Sequence, residues 1–76
     1  MRLVELKAVD NDGNGYIVFI NPEYIESLYT VPNKGRTVIG MISGNPVEVN
    51  HTVKEVIGKT GLNIERTDYK RTDQVH

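Results

Sequence analysis

The sequence predicts an α+β fold of mostly β structure: a small antiparallel β-meander of about five strands with one short C-terminal helix packed on the sheet. Two observations predict it. Short runs of β-branched and aromatic residues are separated at close intervals by turn pairs such as Asn-Gly, Asn-Pro and Gly-Asn. A helix-capping sequence follows the last of these runs at Thr52. We therefore expect a single β-rich domain over residues 1–62, followed by a polar tail, residues 63–76, that is either disordered or adds one more strand.

The first two strands are predicted at residues 3–9 and 16–20, joined by a loop rich in Asn, Asp and Gly. In the first strand Val4, Leu6 and Ala8 share one face, as a half-buried strand requires. The second strand consists of five consecutive apolar residues. Its two faces are thus both apolar, and we expect either that both are covered or that one meets another subunit.

Three further strands are predicted at residues 24–31, 36–43 and 46–50, with a bulge or a short helical turn at the start of the first. A two-residue Gly44-Asn45 loop would place Ile42 opposite Val47. One face then carries the residues Val38, Gly40, Ile42, Val47 and Val49. The other face carries Ile39 and Met41 beside Glu48 and Asn50, and this mixed surface is the predicted contact face.

The helix is predicted to start at Thr52, because Thr52 and Glu55 have the spacing of a capping box. Val53 and Val56 belong to its apolar stripe, and His51 is expected to pack beside that stripe. Gly61 is expected to end a helix so short that it needs the sheet for stability.

Composition narrows the function. The chain has nine Lys and Arg against ten Asp and Glu, a net charge of −1, and no cysteine. No overall field attracts nucleic acid or an anionic membrane, and disulfides and thiolate metal sites are excluded. With no signal-peptide pattern and no membrane-length apolar run, we expect a cytoplasmic protein without a membrane partner. A core this small is commonly supplemented by oligomerisation, so a homo-oligomer is predicted.

The loop after the first strand resembles the opening of a calcium loop. Asp10, Asp12 and Asn14 alternate as oxygen ligands would, ahead of Gly15. The twelfth position is Asn21, where a calcium loop has a bidentate Glu. A hairpin turn requires the same residue types for backbone reasons, so no metal is predicted, with this loop as a weak calcium candidate.

A speculative ligand site consists of Lys34 and Arg36 with Tyr24 and Tyr29, which could bind a phosphate by charge and a base by stacking. Solvated surface charge and sheet packing are the commoner explanations of such residues. His51 has no second histidine or cysteine at ligand spacing, and no phosphate loop or nucleophile motif occurs. The chain is therefore predicted not to be an enzyme and to use no cofactor.

Three segments, residues 21–28, 37–44 and 49–57, resemble the small flagellar FlbD/SwrD-like proteins, with an Asn-Pro start before an isoleucine-containing strand, a glycine-containing hairpin and a capped Val-rich helix. The resemblance spans residues of about 20–57, and similar small proteins occur among phage and mobile-element genes. Because the shared positions are structural, the resemblance implies the fold more than a motility role.

These observations predict a non-enzymatic binding or assembly module that acts through oligomerisation or protein contact at the Ile39 and Met41 face. An alternative is a phage-type oligomeric protein that sequesters a small nucleotide signal. A second alternative is nucleic-acid binding.

Overall fold

The computed structural model describes residues 2–62, and these form one five-stranded antiparallel sheet with one helix. The strands are β1 (Val4–Val9), β2 (Gly15–Ile20), β3 (Ile25–Val31), β4 (Arg36–Met41) and β5 (Val47–Val49), and the helix is α1 (Val53–Thr60). A 3₁₀ turn (Pro22–Tyr24) precedes β3, as the Asn-Pro pair indicated. The predicted fold class is confirmed. The tail, residues 63–76, which was predicted either to be disordered or to add one more strand, lies outside the described residues.

The strand order is β2-β1-β5-β4-β3. Every pair of consecutive strands is adjacent except β2 and β3, which lie at the two opposite edges, while β5 pairs with β1. In a simple meander, β1 and β5 would lie at the two edges. Here β1 and β5 pair with each other, and the edges are β2 and β3.

The short link between β2 and β3 shows that the sheet is strongly curled. Only residues 21–24 join the two strands, and an extended link of this length reaches about 17 Å. The edges of a flat five-stranded sheet lie about 19 Å apart, and the end of β2 and the start of β3 would also lie at opposite ends of it. The sheet must curl toward an open barrel, with its core on the inner side.

The core fills the inner side and is closed by the helix. Its buried apolar residues are Leu6, Ala8, Ile20, Ile25, Leu28, Ile39, Val49, Val53 and Val56. The helix packs against β3 and β4, so its apolar stripe completes the part of the core that those strands leave open. The alternation predicted for β1 is confirmed, since Leu6 and Ala8 are buried and Val4 packs at the margin of the core.

The predicted register of β4 and β5 is wrong. Val47 lies opposite Ile39, not Ile42, and Val49 lies opposite Thr37. Ile42 instead extends the pairing on the other side of β4, the side that faces β3. Its N–H donates to the carbonyl of Tyr24, the residue before β3, at 2.8 Å. The chain then turns at residues 41–44. As a result, the observed pairing of β5 with β4 differs from the predicted register by three residues. A shift by an odd number of residues exchanges the two faces of the strand.

The predicted contact face is consequently wrong as well. Ile39 is fully buried, with 0% of its surface exposed, and Met41 packs against the same core. Glu48 lies opposite Val38 on the outer face of the sheet, and Asn50 follows Val49 on the chain with its side chain exposed. Ile39 and Met41 therefore help to form the core and do not share a surface with Glu48 and Asn50.

The helix start is the predicted capping box. The Thr52 hydroxyl accepts the N–H of Glu55 at 3.2 Å, and the Glu55 carboxylate accepts the N–H of Thr52 at 2.9 Å. Gly61 caps the other end with φ 74°, a left-handed conformation that favours glycine.

Few ladder contacts join β1 to β5, the pairing that connects the β1–β2 hairpin to the other three strands. Ala8 and Val49 form the one register pair between these strands in the described part of the chain, and the N–H of Asn50 donates to the carbonyl of Lys7 at 2.7 Å. The N–H of Lys7 donates to Nε2 of His51 at 3.1 Å. His51 is buried, and its imidazole extends the backbone ladder where β5 has already ended. Because Nε2 accepts a hydrogen bond, the ring proton of the neutral imidazole lies on Nδ1, which is 3.7 Å from Oε1 of Glu55.

Candidate functional site

β2 lies at an edge of the sheet, and no backbone group within residues 2–62 pairs with the side of it that faces away from β1. Both the N–H and the C=O of Lys7 point toward β5, where they bond His51 and Asn50. Lys7 lies opposite Ile17 in the β1–β2 pair. In an antiparallel pair, opposite residues either exchange both hydrogen bonds or both point away. Ile17 therefore points its N–H and C=O away from β1, and Gly15 and Phe19 do the same because the direction alternates along a strand.

The window of free edge is bounded at both ends. Before Gly15, the preceding residue with the same backbone direction is Gly13, and its N–H donates to the carbonyl of Asp10 at 3.0 Å. Beyond Phe19, the next residue with the same backbone direction is Asn21, and its carbonyl accepts the N–H of Tyr24 at 3.0 Å. Strand-like pairing is thus open from Gly15 to Phe19, a window centred on Ile17.

The side chains of this window are apolar and exposed. Phe19 is 59% exposed, Ile17 50% and Tyr16 48%, and the strand contains no charged residue and no proline. Ile17 and Phe19 share the outer face, opposite Lys7 and Glu5 of β1. The sequence pattern predicted either that both faces of this strand are covered or that one face meets another subunit. The structure leaves that face uncovered by any described residue, and an uncharged apolar edge is a ready template for pairing with another chain.

The β3 edge differs in each of these respects. Its pairing with β4 shifts register between Ile25 and Ser27, which makes Glu26 the extra residue of a bulge. A bulge twists a strand and disturbs its ladder, and Glu26 places a charge in the strand. The 3₁₀ turn and its buried Pro22 occupy the start of the strand. This edge carries the features with which natural sheets discourage further pairing.

A cross-strand row of polar side chains runs over the outer face beside β2. Extending the register places Arg36, Asn50, Lys7 and Ile17 side by side on neighbouring strands. Together with Gly15 and other neighbours they line an open depression of about 390 Å³. Arg36 is already paired with Glu48 at 3.2 Å, so Lys7 is the cation of this row without a carboxylate partner in the described part of the chain.

The speculative ligand site of Lys34, Arg36, Tyr24 and Tyr29 does not form as one site. Arg36 and Tyr29 lie near one another across the β3–β4 pair, and Lys34 lies in the turn between these strands. Tyr24 lies in the 3₁₀ turn at the other end of β3, about 20 Å away along the strand. Arg36 joins instead with Asn50 and Lys7, a grouping that depends on strand order and could not be found from sequence spacing.

The weak calcium candidate serves as a hairpin loop. One carboxylate oxygen of Asp10 accepts the N–H groups of Asp12 at 2.9 Å and Asn14 at 2.8 Å. These bonds fix the turn between β1 and β2, which is the backbone explanation of the same residue types. No group of three or more His, Cys, Asp or Glu side chains able to hold a metal ion occurs within residues 2–62.

Comparison of the chain with family models, with curated proteins and with solved structures finds no match. The resemblance to FlbD/SwrD-like proteins stays a prediction. Across residues 2–62, no helix combines the length and the apolar character needed to cross a membrane.

Proposed function

We propose that the protein is a non-enzymatic association module that accepts a strand of another polypeptide on the free edge of β2. The observation that carries this proposal is the charge-free window from Gly15 to Phe19. The N–H and C=O groups of Gly15, Ile17 and Phe19 point away from the sheet, and the side chains of Tyr16, Ile17 and Phe19 are about half exposed. The proposal replaces the Ile39 and Met41 surface with β2 as the contact element.

Two physical terms favour strand addition at this edge. Each N–H and C=O of Gly15, Ile17 and Phe19 would exchange a water for a backbone partner, and such bonds contribute about 0.5–1.5 kcal/mol each. Covering the exposed halves of Ile17 and Phe19 contributes about 1 kcal/mol for each side chain. Recognition by strand addition takes its affinity from main-chain bonds and its specificity from alternate side chains.

Amide hydrogen exchange tests the proposal directly. The probe is a peptide of alternating valine and threonine with a lysine at each end, added to the full chain. We expect it to slow exchange of the Ile17 and Phe19 amides several-fold while leaving unchanged the amide of Thr30, which points outward from the β3 edge.

The matched control is the same peptide with alternate amides N-methylated, which removes the donors that face the protein. If neither peptide nor rising protein concentration protects the Ile17 and Phe19 amides, β2 is not an association edge.

A second candidate function is the binding of a small anionic ligand, such as a nucleotide, in the depression beside Lys7. The row of Arg36, Asn50 and Lys7 supports it, because two cations and an amide lie on one side of an apolar strand. A nucleotide that raises the melting temperature of the wild-type chain and of Lys54→Gln but not of Lys7→Gln would support it. Absence of any shift with the wild-type chain would overturn it.

A further inference from the structure

We infer that the partner of β2 is the β2 of a second copy of this chain, paired antiparallel about a twofold axis that passes through Ile17. The inference rests on the proposed function and names its partner and register. It would join two curled sheets into one continuous sheet across the axis. A twofold contact uses the same surface of both copies, so that surface must be complementary to itself.

The backbone of the window meets this condition. It runs from Gly15 to Phe19, and Ile17 is its centre. Antiparallel pairing about Ile17 places Ile17 opposite the partner's Ile17 and Phe19 opposite the partner's Gly15. Every outward N–H and C=O of these residues then has a partner. Moving the axis to Val18 would place Gly15 opposite the partner's Asn21, whose carbonyl already accepts the N–H of Tyr24.

The side chains fit the same register. Phe19 is a large aromatic residue and is 59% exposed, and Gly15 has no side chain. Pairing them lets the aromatic ring lie over the exposed backbone of the glycine, a known stabilising arrangement at sheet edges. On the inner face, Val18 lies opposite the partner's Tyr16, so a large residue again meets a smaller one. The chain's own edge is thus matched to itself on both faces.

Charge does not oppose the contact. No residue of β2 is charged. The nearest like charges on the axis row are Lys7 and the partner's Lys7, which lie three strand spacings apart, about 14 Å. That separation exceeds the Debye length of about 8 Å at physiological ionic strength. The small core gives a further reason for a second copy, because a domain of this size is commonly stabilised by oligomerisation.

Cysteine cross-linking of the full chain tests the register, and the sequence contains no cysteine to interfere. Opposite hydrogen-bonded residues have Cα atoms about 5.5 Å apart, within the range of a disulfide. Ile17→Cys should therefore form a disulfide dimer at least about tenfold faster than Phe19→Cys, since the two Phe19 positions lie about 14 Å apart. Tyr29→Cys on the β3 edge is the control for chance collisions and should be as slow as Phe19→Cys.

Mixing two different cysteine variants tests the register without relying on Ile17→Cys. Gly15→Cys alone and Phe19→Cys alone should cross-link slowly, whereas the two mixed together should give the mixed disulfide. Light scattering of the wild-type chain should show a mass that rises toward the dimer with concentration, and Ile17→Lys should remain at the monomer mass.

Equal cross-linking rates for Ile17→Cys, Phe19→Cys and Tyr29→Cys would overturn the inference, as would a wild-type chain that stays a monomer. If the peptide probe still protects the Ile17 and Phe19 amides in that case, the association function stands and only self-pairing fails. If the peptide also gives no protection, both fail.

Discussion

The two edges of this sheet have similar length and opposite character. β2 has six residues, none of them charged, and regular pairing with β1 along its whole length. β3 has seven residues, a glutamate, a bulge and a preceding 3₁₀ turn. Both edges carry exposed tyrosine, so exposure of an aromatic residue alone does not distinguish them. The difference teaches that this chain discourages pairing at one edge and leaves the other regular, which is the basis for assigning association to β2.

The largest expected effect comes from detaching the β2 edge from the rest of the sheet. His51→Ala removes the acceptor for the Lys7 N–H and leaves that donor unsatisfied beside a small cavity. We expect the free energy of unfolding to fall by about 3 kcal/mol, measured by urea denaturation. Amide exchange should accelerate in β1 and β2 more than in β3 and β4.

His51→Gln is the matched control, because its side-chain oxygen can reach toward the Lys7 N–H and should restore part of the loss. If His51→Ala is as stable as the wild type, the imidazole does not hold the β1–β5 junction together.

The next effect concerns the β3 edge near its bulge. A Cβ added at Gly40 would collide with the hydroxyl oxygen of Ser27, which is buried. Gly40→Ala should therefore cost about 2 kcal/mol in thermal or urea unfolding, although alanine is otherwise better than glycine in a strand.

Ser27→Ala removes the colliding oxygen, so the double variant should recover most of the loss suffered by Gly40→Ala. A double-mutant cycle with no coupling between the two positions would contradict the close approach of β3 and β4 here.

A smaller loss of stability is expected from removing the N-cap of α1, and it should affect the β3 side of the sheet but not the β2 edge. Thr52→Ala removes the N-cap of α1, which packs on β3 and β4, and should cost about 1 kcal/mol in the free energy of unfolding. Exchange should accelerate in the helix and in β3, while concentration-dependent association through β2 should not change. Thr52→Ser keeps the capping hydroxyl and should behave like the wild type. Weakened association in Thr52→Ala alone would show that the two edges are coupled.

The smallest effect on stability should come from adding a charge to the β2 edge or removing the charge from the β3 edge. Ile17→Lys and Glu26→Thr both change partly exposed edge residues and should each shift the free energy of unfolding by no more than about 0.5 kcal/mol. Their effects on association should differ in sign, because the first adds a charge to β2 and the second removes one from β3. Light scattering over a range of concentrations measures both. Stronger association of Ile17→Lys than of Glu26→Thr would contradict the assignment of β2.

The sequence predicted the local elements well and the long-range register poorly. The capping box of Thr52 and Glu55 and the turn at Pro22 depend on residues close in the chain, so their chemistry can be recognised in the pattern. The predicted β4–β5 register was wrong because Ile42 had two possible partners, and the carbonyl of Tyr24, in the 3₁₀ turn before β3, accepts its N–H. A local sequence pattern cannot decide whether Ile42 pairs with the strand that follows it or with a segment that precedes it in the chain. The continuous apolar run of β2 predicted either two covered faces or a contact with another subunit, and it could not show which backbone groups of the strand would be free.

By itself, the sequence determined that the chain forms short antiparallel strands with one capped helix, because period, turn chemistry and capping act over a few residues. It also determined that β2 carries neither a charge nor a proline. Only the tertiary structure decided that β5 closes on β1 and that β2 therefore lies at an edge. It also decided that Lys7 points its backbone toward β5, which turns the N–H and C=O of Ile17 outward. The physical reason is that hydrogen-bond direction alternates along every strand, so which backbone groups remain free depends on how the whole sheet is ordered.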